Sequence, residues 1–190
     1  MNKVIIIIVF LLFGAPVLIA TLLHSEWFDV RLAGTRNHGE LVQPVIPLPA
    51  LNLRQPDGRV LEHADLLERW QLVHLRAGDC KEACLEDLYW LRQVRRAQNR
   101  HQPDIGLMLI SLADMDEDQV KQIRDLADDF VIVSGSDAAA LASAFPDVPD
   151  NGRSYILDPM ANIIMRYPED ADPNHVRRDL RRLLTWTQRN

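Results

Sequence analysis

The chain has 190 residues with a net charge of −6, and its 21 basic and 27 acidic residues are spread along its length without the basic stripe that nucleic acid selects, so nucleic acid is not an expected partner. Two cysteines in a body of about 140 residues exclude a disulfide-stapled scaffold, because a domain of that size buries an adequate core without staples.

Val4 to Leu23 is uncharged throughout, long enough to cross a hydrocarbon core of about 30 Å. Gly14 and Pro16 interrupt it, as membrane helices tolerate, and Trp27 and Phe28 follow where an interfacial aromatic anchor is expected. No small-residue cleavage motif follows the apolar run, although Ala20 could end a poorer one, so residues 1–28 are read as an uncleaved membrane anchor. The short tail at Asn2-Lys3 places the N-terminus inside and the body outside the cytoplasm, where disulfides persist. Residues 29–48, punctuated by Gly34, Gly39, Pro44 and Pro47, read as a tether. The aliphatic stretch Leu41 to Leu51 has a second reading, an extended segment packed along the domain.

The domain is expected over 49–190. Ala50 to Leu53 alternates at period two into the turn Gln55-Pro56-Asp57-Gly58, and Arg59-Val60-Leu61 returns, which predicts a hairpin. A helical turn over Asp65 to Trp70 precedes a strand over Gln71 to Arg76. Asp79 is then placed as N-cap of a helix from Cys80 to about Asn99, with Cys84, Leu88, Leu91 and Val94 on its inner face. Cys80 and Cys84 thereby share one helix face, where the first-turn N–H groups favour the thiolate that attacks disulfides or ligates soft metals. The competing reading is a pair of small buried helix residues.

Ile105 to Leu112 is an uninterrupted apolar strand, and Asp114 or Asp116 caps a helix through Val120, Ile123, Leu126 and Ala127. The acidic cluster at Asp114, Asp116, Glu117 and Asp118 suits the helix dipole and is not read as a cation site. Phe130 to Val133 is a strand, and Ser136 or Asp137 caps a helix over Ala138 to Phe145. Strands Ser154 to Leu157 and Asn162 to Tyr167 flank the turn Asp158-Pro159. Asp172-Pro173 opens a last helix with Val176, Leu180, Leu183 and Leu184 inward, and Arg177, Arg178, Arg181 and Arg182 on what reads as a solvated face.

This order predicts an α/β domain with parallel and antiparallel strands in one sheet. A C-x-x-x-C after the first long central strand makes it thioredoxin-like. Residues 49 to 186 resemble the Sco/SenC family, membrane-tethered proteins of thioredoxin-like, Sco/peroxiredoxin-type fold that assemble the copper site of cytochrome c oxidase. The likeness is carried by Asp79 to Leu91, Leu109-Ile110-Ser111-Leu112, Val133 to Ser136 with Ala142 to Phe145, and Tyr155 to Pro159.

The resemblance implies copper held by two cysteine thiolates and a histidine shortly before the strand that ends in the Asp-Pro turn. Here that stretch, Phe145 to Ser154, has no histidine, Leu85 replaces the proline that usually follows the second cysteine, and Pro149 sits early for a thioredoxin-type cis-proline. Cys80 and Cys84 remain as a Cu(I) site, since two thiolates suffice for that soft ion. His74, on the strand leading to Cys80, is a weak candidate for a third ligand, with a core or sheet-edge histidine as the bland alternative.

Three functions are consistent with this reading. The first is a Sco-like accessory factor in cytochrome c oxidase assembly working by thiol–disulfide exchange, with Cys80, the more exposed, attacking and Cys84 resolving. The second is a Cu(I) carrier on the same sulfurs. The third is a non-catalytic module docking on a respiratory oxidase subunit or assembly factor. The expected location is a bacterial inner membrane, single-pass, with the domain facing the periplasm.

Overall fold

The structure is a computed structural model that describes Lys3, residues 11–15 and residues 37–187. The chain divides into two compact units, Met1–Arg36 and Asn37–Asn190. Most of the first unit, and with it the anchor and the start of the tether, lies outside the described residues; 11–15 are helical, with Leu11, Leu12 and Phe13 exposed. Among the described residues no helix is long and apolar enough to cross a membrane.

The second unit is built on a six-stranded sheet of β1 (Glu40–Pro47), β4 (Trp70–Arg76), β5 (Ile105–Ser111), β6 (Val131–Ser134), β7 (Arg153–Leu157) and β8 (Asn162–Arg166), in the order β1-β8-β7-β4-β5-β6. β4, β5 and β6 run parallel, while β7, β8 and β1 add antiparallel pairings. Every residue of β4 and β5 is buried, which is why β5 reads as an apolar run rather than an alternation, whereas β4 buries Gln71, His74 and Arg76 among its apolar residues. Successive side chains still go to opposite faces. Leu72, Leu107 and Leu109 pack into one core beneath α1 (Glu82–Arg96), α2 (Glu117–Leu126) and α4 (Pro173–Thr187). Val73, Leu75, Met108 and Ile110 pack into the other, beneath α3 (Gly135–Ala142) and the hairpin of β2 (Asn52–Arg54) and β3 (Val60–Glu62).

The predicted hairpin also covers an edge. Gln55, buried in its turn, accepts the Ile132 N–H of edge strand β6 at 3.0 Å and the Arg124 guanidinium at 3.1 Å, occupying a backbone donor that would otherwise invite another strand.

Of the two readings of the aliphatic stretch before the domain, the structure takes the extended one: Glu40–Pro47 is strand β1 at the opposite edge. Pro44, preceded by a cis peptide bond, falls within the register shift between Leu41 and Ile46, a place where an edge strand accommodates a missing N–H. β1 is fastened at its start by Asp179 of α4, fully buried, whose carboxylate accepts the N–H groups of His38 and Gly39 and the hydroxyl of Tyr167.

Two helix starts differ from expectation. α1 begins at Glu82 with Lys81 as N-cap, not at Cys80 with Asp79 as cap, because the Asp79 carbonyl takes the Lys81 N–H and the first helical bond is Leu85 N–H to Lys81. α3 starts at Gly135 and ends at Ala142, three residues earlier than predicted. Gly135, at φ +62°, turns the chain directly out of β6, a conformation costly for other residues. Of the two candidate caps for α2, Asp116 is the cap, in a reciprocal capping box with Gln119. The predicted turn over 65–70 is a 3₁₀ turn at His63–Leu66.

Candidate functional site

β4 delivers the chain to the C-terminal edge of the parallel strands, where ligand and catalytic loops of α/β sheets collect. The loop 77–81 is held on several sides. Ala77 N–H donates to Pro149 at 3.0 Å, Arg76 Nε to Gly78 at 2.9 Å, and Gln119 Nε2 to the Cys80 carbonyl at 3.4 Å. Cys80 lies two residues before α1 and Cys84 is its third residue. The structure joins them in a disulfide with Cα atoms 5.1 Å apart. That separation is within the ordinary range for a disulfide.

The pair is not exposed. Cys80 is 4% and Cys84 1% accessible, both within the core cluster that contains Leu88, Val120 and Ile123. The order expected from the sequence holds, but the exposure expected of Cys80 does not. The reason is the extended Lys81, which lets the loop fold Cys80 inward before the helix begins. Both cysteines sit at the N-terminal end of α1, where free N–H groups suit an anionic sulfur, while their place in the apolar core opposes one.

His74 sits six residues before Cys80, paired across to Leu109 and Ser154, with its side chain on the helix-covered face of the sheet. It is 2% exposed, and neither ring nitrogen makes a hydrogen bond with a described residue. Its Nε2 lies 3.7 Å from Oδ2 of Asp87, one turn beyond Cys84 on α1, too far for a hydrogen bond. Burial, helped by the nearby Arg76 charge, drives the imidazole down to about 3, so it is neutral at neutral pH. Burial also raises the Asp87 carboxyl to about 6. Both border a cavity of about 40 Å³, which Trp90, Arg153 and Glu169 also line.

Gly152, at φ +102°, closes this cavity against the histidine, and a Cβ there would overlap the imidazole. Asp87 and Gly152 were not found by sequence reasoning. The one available signal for Asp87 was its i+3 spacing from Cys84.

Among the described residues no group of three His, Cys, Asp or Glu side chains could hold a metal ion, so His74 does not join the two sulfurs as a ligand set. Pro149 is not cis, and it serves instead as the acceptor for Ala77. The donor set is thus two sulfurs, which in reduced form fits Cu(I) and not Cu(II).

The family model described as transmembrane-like, thioredoxin-like, C-terminal domain matches residues 70–187. No curated protein matches the chain. Among solved structures, Arabidopsis thaliana ScoI with copper bound is 14% identical at a TM-score of 0.60, covering 73% of this chain and 98% of that one. Apo Sco1 from Thermus thermophilus is 15% identical at 0.58, covering 77% and 95%. BsSco, described with a disulfide switch and as a member of the Sco family of cytochrome c oxidase assembly proteins, is 11% identical at 0.57, covering 75% and 98%. The fold is thioredoxin-like in the form that Sco proteins take, as the sequence resemblance implied.

Proposed function

From the premise that this chain belongs to the family of the transmembrane-like, thioredoxin-like C-terminal domain, we propose that it is a membrane-anchored, Sco-like accessory factor of cytochrome c oxidase assembly that works by thiol–disulfide exchange through Cys80 and Cys84. The observation that carries this reading is the Cys80–Cys84 disulfide at the N-terminal end of α1, the one disulfide among the described residues.

In the reduced protein, the Cys80 thiolate attacks one sulfur of a target disulfide, forming a mixed disulfide and releasing the other target sulfur as thiolate. Cys84 then gives up its proton and displaces the target from Cys80, leaving the target as a dithiol and this chain with the Cys80–Cys84 bond. Two electrons and two protons pass to the target, and an external dithiol reductant resets the pair. Burial of both sulfurs requires the loop 77–81 to open on docking, so the target is met as a complex rather than by random collision.

The apolar run Val4 to Leu23 and the exposure of Leu11, Leu12 and Phe13 support the membrane anchor, and a single pass through a bacterial inner membrane would put the domain in the periplasm. A second reading, a Cu(I) carrier on the same thiolates, is favoured by the soft two-sulfur donor set.

Determining the reduction potential of the purified protein and titrating it anaerobically with Cu(I) tests both. Exchange predicts a potential above about −300 mV, the upper limit typical of inert structural disulfides, and no stoichiometric copper. Tight one-to-one Cu(I) lost in Cys80→Ser replaces exchange with carriage. An inert, strongly reducing disulfide without copper overturns both and leaves a docking module.

A further inference from the structure

α4 carries Arg177, Arg178, Arg181 and Arg182, which share one arc because the helix turns every 3.6 residues or so. Its other face buries Val176, Leu180 and Leu184. Arg178, Arg181 and Arg182 are exposed and Arg177 half-buried. Arg182 lies 3.6 Å from Asp179, and Arg177 Nε reaches Asn174 at 3.4 Å. Among the described residues no carboxylate is within ion-pair distance of Arg177, Arg178 or Arg181. On a chain of net charge −6 this is a local reversal of sign.

Tyr89 and Trp90 of α1, packed edge to face, are 40% and 43% exposed on a groove shared with Pro173 and Arg177, so amphipathic aromatics and guanidinium groups form one continuous surface. The domain also receives its chain at this helix: His38 stacks on His175 with ring centroids 4.0 Å apart, and the His38 and Gly39 amides are held by Asp179. Residues 24–36, between the apolar run and this entry point, reach at most about 45 Å when extended.

We propose that the arginine face of α4, with Trp90 and Tyr89 beside it, docks on an anionic lipid bilayer. Arginine pairs with phosphate through two parallel N–H···O bonds, and Trp and Tyr favour the headgroup level, where an apolar ring and a polar edge are both satisfied. Charge alone would suit an acidic protein segment equally, and it is the exposed Tyr89 and Trp90 and the chain entry at α4 that favour the bilayer. This inference rests on the membrane anchoring proposed above and not on the redox chemistry.

The test is phenylglyoxal footprinting of the full chain in nanodiscs of phosphatidylcholine with or without phosphatidylglycerol. Modification of Arg178 and Arg181 should slow at least several-fold in the anionic discs, while Arg59, on the hairpin, reacts equally in both. Each arginine at an anionic surface contributes about fivefold to binding, so R178Q/R181Q should weaken docking about 25-fold and return Arg177 to its rate in neutral discs. Equal modification of Arg178 and Arg181 in both discs overturns the proposal. So does slowing that appears only when polyglutamate is added to neutral discs, which assigns the face to an acidic protein. If the chain does not insert, the anchor reading fails, and vesicles of the two compositions are offered to it instead. Sedimentation with the anionic vesicles alone then upholds the docking face, and no difference removes it. Disulfide exchange assayed in the same discs reports separately on the proposed function.

Discussion

The carboxylate of Asp179 accepts the backbone N–H groups of His38 and Gly39 at 2.8 and 2.9 Å, across intervals of 141 and 140 residues. Tyr167 adds its hydroxyl at 3.2 Å. Asp179→Ala should leave these donors without a partner at a buried site and cost about 2–4 kcal/mol, since each orphaned donor costs on the order of 1–3 kcal/mol and some regain water. Urea denaturation measures the loss. Hydrogen exchange should show β1 amides opening before those of β4 and β5, and simultaneous opening would mean that Asp179 does not hold the edge separately.

Gly152→Ala meets two penalties at once, a left-handed φ and an overlap with the His74 ring. The expected destabilisation is about 2–3 kcal/mol. His74→Ala removes only the overlap, so the double variant should be less destabilised than the sum of the singles. Additivity within about 0.5 kcal/mol would show that the ring is not what Gly152 makes room for.

Acid should act through His74. Its folded-state pKa, about 3, lies below its usual value near 6.5, so between those values the unfolded chain binds a proton the folded chain does not. Stability from this group is complete above pH 6.5 and falls as pH drops toward 3, by up to about 1.4 kcal/mol per pH unit. Asp87 opposes it: its carboxyl is raised to about 6, so it adds stability as pH falls from 6 toward 4. Asp87 is 43% exposed at its side chain, which screens its contribution, and His74 is 3%, so the histidine dominates. The other charges facing this pair are Arg76, Glu86, Arg153 and Glu169. His74→Gln should flatten the stability profile between pH 6.5 and 4; an unchanged slope would assign the acid sensitivity elsewhere.

Reduction of the Cys80–Cys84 bond should lower stability by about 2 kcal/mol, the chain-entropy value for so short a loop. Comparing urea midpoints with and without a dithiol reductant gives the number. Cys80→Ser should show the reduced-state midpoint and no response to reductant, and a remaining response would implicate chemistry other than this disulfide.

Much of this was legible from residues alone. β5 announces itself because a strand buried on both faces is almost wholly apolar, β4 shows only the shorter stretch Leu72 to Leu75 broken by His74, and the spacing of Cys80 and Cys84 brought the two sulfurs together. What was hidden depended on groups distant in sequence. Pro44 and Pro47 make β1 look like a linker, and only β8 and Asp179 turn it into a strand. The start of α1 moved because a backbone carbonyl, not the Asp79 side chain, takes the Lys81 amide. Gly152 carries no local signal of its role, since its need for a missing side chain comes from His74 on β4. The inward turn of Cys80 was invisible for the same reason.

The fastening of β1 also decides how the domain bears load. Any tension arriving through the residues before Asn37 reaches His38 and Gly39 first, and so falls on the Asp179 carboxylate before it reaches the ladder between Glu40 and Arg166. Tension entering at Asn37 would therefore be carried by α4 before it loads the sheet.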